Sequence, residues 1–129
     1  MFDIFKKNNA TIPVVKEIPA AAGTYSVGET LALNAAGNAA QVAGTNVPEF
    51  ICGFKGTVVS GTAIAVYPIY EDMEFKTVFS ADGSSLKAGA KVTIGTSYGD
   101  VTATTTNGVA TIVEKLGSGA SGTEVIVKF

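Results

Sequence analysis

The sequence predicts an all-β protein, a small β-barrel or β-sandwich made of two similar halves. Three observations carry that expectation. Fifteen glycines and many Thr and Val residues cut the chain into short apolar runs between turn residues, without long helical periodicity. Apolar and polar residues alternate in several of these runs, as in Thr30-Leu31-Ala32-Leu33. Most telling, one stretch repeats: residues 25–68, moved along by 61 positions, fall without a gap on residues 86–129. Nine of the 44 aligned positions are then identical, against roughly three expected by chance for so biased a composition. The matches gather on the glycines that open strands and on the strands that follow: Gly28 on Gly89, Ser60-Gly61-Thr62 on Ser121-Gly122-Thr123, Thr45-Asn46 on Thr106-Asn107, and Ile51 on Ile112. An internal duplication of one β unit is the expectation.

Residues 1–23 stand outside the repeat and read as an extended N-terminal arm. Phe2, Ile4 and Phe5 form an apolar cluster, and Lys6-Lys7-Asn8-Asn9 follows. Pro13 and Pro19 disfavour helix on either side of Val14 and Val15. Three large apolar residues among the first five argue against plain disorder. The segment reads equally as an arm that adds to a neighbour and as a strand of the protein's own sheet. Ala20-Ala21-Ala22-Gly23 reads as a flexible joint.

Residues 24–129 read as one β domain with a single shared core, which is what 129 residues support. In the first unit, Leu31 and Leu33 define an apolar face, and 34–38 turn because Asn and Gly tolerate positive φ. Phe50-Ile51-Cys52 is a core strand. Residues 63–69 form the longest strand, with Pro68 confined to an edge, an end or a bulge. The connector, 69–85, holds the acidic group Glu71, Asp72 and Glu74, then Phe75, Thr77 and Phe79 on one side of a strand. The second unit repeats the first: Val92 and Ile94 alternate, 97–100 turn, Asn107-Gly108 marks a hairpin, and 125–129 close the chain as a strand.

Composition excludes several kinds of chemistry. Histidine is absent, which removes His-based triads, His metal sites and His pH switches. All nine cations are lysine and net charge is only -2, a poor match to the clustered Arg and Lys of nucleic-acid binding. A single cysteine, Cys52, rules out an intrachain disulfide and reads as a buried small apolar side chain. The acidic group of 71–74 lacks the spacing of a calcium loop and reads as a solvated edge. Asp82-Gly83-Ser84 and Gly117-Ser118-Gly119 lack the lysine and helix of a phosphate loop, and 119–122 lack a nucleophile elbow. No transmembrane run and no signal-peptide core appears, so the product is expected in the cytoplasm of the cell that makes it. The residues offer no catalytic, cofactor or metal set, and point to a binding or structural protein.

Gly28-Glu29-Thr30-Leu31-Ala32-Leu33, the Pro48-Glu49-Phe50-Ile51-Cys52 stretch after an Ala-rich turn, and Lys91-Val92-Thr93-Ile94 before Val101-Thr102-Ala103-Thr104-Thr105 carry a resemblance. Over roughly 25–129 the chain resembles the small capsid decoration (cement) and head-fibre proteins of tailed bacteriophages. The resemblance implies a non-enzymatic virion protein that binds the outer surface of the major capsid lattice and stabilises the head. It also implies homotrimers as the form displayed, the major capsid protein as partner, and neither nucleic acid nor membrane. Carried over by position, the arm would supply the capsid contacts: Phe2, Ile4, Phe5, Ile12, Val14 and Val15. Other readings are a tail-tube, fibre-base or pilus-like subunit polymerising through the edges of 63–69 and 125–129, and a small-molecule-binding β-barrel.

Overall fold

In the computed structural model, residues 1–7 and 14–129 are described, and they hold twelve strands and no helix. In chain order these are β1 (Asp3–Lys7), β2 (Lys16–Pro19), β3 (Gly23–Tyr25), β4 (Thr30–Leu33), β5 (Ala39–Gln41) and β6 (Phe50–Cys52). Then come β7 (Gly56–Val58), β8 (Ala63–Pro68), β9 (Met73–Val78), β10 (Lys91–Val92), β11 (Ala110–Lys115) and β12 (Glu124–Lys128). One sheet has the order β1-β9-β12-β11-β10, a second β2-β8-β6-β4-β5, and β3-β7 form a short ribbon. Every strand pairing is antiparallel.

The result is a sandwich-like all-β fold without a closed barrel. Each large sheet nevertheless curls back on itself through one parallel bridge, Ala20 (just past β2) with Ala39 in one and Phe79 (just past β9) with Val101 in the other. The same kind of bond holds both bridges: Ala21 N donates to Ala39 O and Ser80 N to Val101 O, each at 2.8 Å.

The two sheets match rung for rung. The pair Ile18–Ile64 answers to Thr77–Val125, Ile51–Tyr67 to Thr111–Lys128, and Leu31–Phe50 to Val92–Ala110. Leu33–Ala39 answers to the bridge Ile94–Val101. Gly61 N bonds Ala20 O as Gly122 N bonds Phe79 O. Strand β1 is the one member of its sheet that has no counterpart in the other.

This pairing corrects the gap-free alignment at two places, the first being Ala39, which answers to Val101 rather than Asp100. At the second, the ladder gives Cys52, not Ile51, the position of Ile112, and the difference is taken up around a bulge between Ile112 and Glu114. A one-residue shift reverses which face a side chain occupies, so pairing rather than identity decides the equivalence.

The core is also divided, where one shared core was expected. Tyr25, Leu31, Ala39, Cys52, Ile64 and Val66 pack together inside the β2-to-β5 curl. A larger cluster, including Met73, Phe75, Phe79, Val92, Ile94, Ile112, Val125 and Val127, fills the other curl. Curling is the physical reason, because each sheet covers its own inner face. Ile51 and Tyr67 of the first unit and Ile69 at the start of the connector pack against the larger cluster and join the two.

Several sequence expectations need correcting. The expected joint at Ala20 is fixed: Ala20 is buried, donates to Thr62 O at 2.9 Å and accepts from Gly61 N at 2.9 Å. Leu33 is exposed at the tip of its hairpin, whereas Thr30 is buried because its hydroxyl reaches Val42 O and Tyr98 O. Strands β8 and β12 each lie between two neighbours, so neither is an edge through which copies could polymerise. Pro68 does end β8, and Phe75, Thr77 and Phe79 do share the buried side of their strand, as expected.

Candidate functional site

The N-terminal stretch, expected as an arm or as a strand of the protein's own sheet, lies on the protein's own sheets wherever it is described. Phe2 donates from its backbone N to Gly28 O at 2.9 Å, and β1 then pairs along β9 from Asp3–Lys76 to Lys7–Met73. Burial of the Phe2 ring explains the choice. It is 2% exposed in the larger core, edge-to-face with Phe129, and an aromatic side chain buried this way contributes more than an unpaired arm keeps.

The six expected contact residues therefore divide. Phe2 is inside, and Ile4 is partly buried against the same core. Phe5 is 53% exposed at a bulge in β1 between Ile4 and Lys6. Val14 and Val15 are 59% and 49% exposed just before β2. Ile12 lies outside the described residues. The structure thus leaves Phe5 exposed on the edge strand of one large sheet, and Val14 and Val15 exposed just before the edge strand of the other.

Beside this stretch, a cavity of about 210 Å³ opens between the N-terminal stretch and the first unit. Phe2, Asp3 and Ile4 line one side, and Val27, Gly28, Ile51, Cys52 and Tyr67 the other. Its walls are mostly apolar, with one carboxylate, Asp3, and one phenol, Tyr67. Gly28 is required here: its φ is +85° and a Cβ would fall 2.0 Å from the Met1 side chain. Such a space can hold one apolar side chain or small ligand.

Groups with chemical potential lie apart from one another. The Cys52 thiol is buried, bonds Phe54 O at 3.2 Å, and is held above its ordinary pKa chiefly by burial. That makes it a poor nucleophile, in keeping with its reading as a small core residue. Tyr25 is likewise raised by burial, while its hydroxyl donates to Ala21 O at 2.7 Å and Ala39 O at 3.1 Å. Of the acidic group at 71–74, Glu71 is exposed, and Met73 between its members is buried in β9. Among the described residues, no three Asp, Glu or Cys side chains converge as metal ligands would. Asp100 accepts from Ser97 Oγ at 2.7 Å through Oδ2, and its buried Oδ1 has no partner.

Sequence reasoning missed the outer edge of β2, where Lys16, Glu17 and the partly buried Ile18 follow the exposed valines. The signal was present as apolar-charged-apolar order ending at Pro19. No protein-family model matches the chain, and no curated protein matches it in sequence.

Proposed function

We propose that the chain is a non-enzymatic decoration protein of a tailed-bacteriophage head. It binds the outer surface of the major capsid lattice and stabilises the head. The observation that carries this reading is the exposure of apolar side chains at two sheet edges: Phe5 on the edge strand β1, and Val14 and Val15 just before the edge strand β2. On a lattice, each copy needs only a small footprint, because neighbouring copies and arms act together. The partners are the major capsid protein and further copies of the chain, clustered as trimers; nucleic acid and membrane have no part in it. The product is made in the host cytoplasm and ends on the virion surface. The matched strand ladders support descent of both halves from one duplicated β unit.

Titrating undecorated mature heads with the purified protein tests the proposal. Saturable binding is expected, and its absence refutes it. Replacing Phe5, Val14 and Val15 together by Ser should weaken binding at least tenfold while the melting temperature changes little, because all three are largely exposed. A second reading, another virion subunit, rests on the outer edges of β1 and β2, which pair with no strand among the described residues; filaments or rings formed by the protein alone would favour it.

A further inference from the structure

The matched ladders show that one position filled in the second unit has no strand among the described residues of the first. In the second unit, β9 has β12 on one side and β1 on the other. In the first, β2 is the counterpart of β9, since Lys16–Val66 and Ile18–Ile64 answer to Phe75–Val127 and Thr77–Val125. Among the described residues, nothing pairs along the outer side of β2.

Exposure marks that position. By the same register, Val14 stands where Met73 stands in the second unit. Met73 is 0% exposed with Lys7 of β1 paired beside it, whereas Val14 is 59% exposed. Ile18 answers to the buried Thr77 and is only partly covered.

Backbone groups are available as well. Ala20 faces β8 with both its N–H and its C=O, and Ala21 N turns the other way to Ala39 O. Strand alternation then turns the N–H and C=O of Glu17 and Val15 away from β8, while Pro19 has no N–H to offer.

We infer that the outer edge of β2 is an acceptor site for an extended segment of a partner protein, laid antiparallel as β1 is laid on β9. The chemistry of that segment follows from what it must face. Asp3 of β1 is opposite Lys76, but Glu17 takes that place in the first unit, so the partner needs a cation there. Ile4 is opposite Phe75, but Lys16 takes that place, so the next partner residue is acidic. The residues that face Val15 and Val14 are apolar. A cation, an acid, one bulge residue answering to Phe5 and then two apolar residues, in that order, define the segment. This inference stands whether or not the partner belongs to a capsid.

The test uses the full chain and the capped synthetic peptide Phe-Lys-Glu-Ser-Val-Val-Lys, followed by amide NMR. Saturable shifts centred on Glu17 and Val15 are expected. Exchanging the Lys and Glu of the peptide should weaken binding about three- to tenfold, the effect of two exposed charge pairs. The variant Glu17→Pro removes the outward N–H yet keeps the β8 ladder, and should abolish the shifts with little change in melting temperature. Failure of the peptide to bind, shifts at β1 instead, equal binding of both peptides, or undiminished binding to Glu17→Pro overturns the inference.

Discussion

Phe2 and Phe129 meet edge to face, their ring centroids 5.4 Å apart at 66°, and so join the two ends of the described chain in one core. The Phe129 ring also lies 5.4 Å from that of Phe75. Strand β1 is therefore fastened to its sheet by a ring as well as by backbone pairing.

Replacing Phe2 by Ala should cost about 3–5 kcal/mol, as for other large-to-small changes in a packed core. Denaturant unfolding measures it. A loss below about 1 kcal/mol would show that β1 is a detachable arm after all, and removal of 1–19 would then leave a folded domain.

Thr30 bonds the second unit to the first. Its hydroxyl lies 2.7 Å from Val42 O and 3.0 Å from Tyr98 O, and its N–H donates to Tyr98 O at 2.8 Å. Thr30→Val keeps the shape and the backbone bond to Tyr98 O but takes the hydroxyl donor from Val42 O, so about 1–3 kcal/mol should be lost. Faster amide exchange in the 95–101 turn should accompany the loss.

Gly28 and Gly37 both have positive φ, +85° and +80°, but only Gly28 is crowded. Gly37→Ala should therefore cost only backbone strain, about 1–2 kcal/mol. Gly28→Ala adds a clash with Met1 and should cost at least about 1 kcal/mol more. Equal costs from chemical denaturation would contradict the packing of Met1 over Gly28.

Burial raises the pKa of both Cys52 and Tyr25, from ordinary values of 9.0 and 10.0. The folded state then holds these protons more tightly than the unfolded state does. Their contribution is complete below about pH 9 and is lost as pH rises through the folded values. Stability should thus decline on the alkaline side, and less steeply in Cys52→Ala. A thiol reagent at neutral pH should label Cys52 only after unfolding.

Much of the fold was legible because strands announce themselves locally. Alternation placed Phe75, Thr77 and Phe79 on one face, Pro68 could only sit at an edge, an end or a bulge and does end its strand, and the Asn107-Gly108 pair marked a turn, where the φ of Asn107 is +53°. What stayed hidden depends on partners distant in sequence. Thr30 is buried for the sake of carbonyls 12 and 68 residues away. The split core follows from curl, which no single strand encodes. At the candidate site, Phe5, Val14 and Val15 are exposed, which their apolar character in the sequence does not by itself foretell. The burial of Phe2 was not readable, because Phe129 and Phe75 come to it only in the fold.

Imaging mature heads saturated with the protein tests the proposed function most directly. Density for the β molecule on the outer face of the capsid lattice, with the Phe5, Val14 and Val15 surface turned toward it, is the result predicted. Heads that stay bare at saturating protein would contradict it.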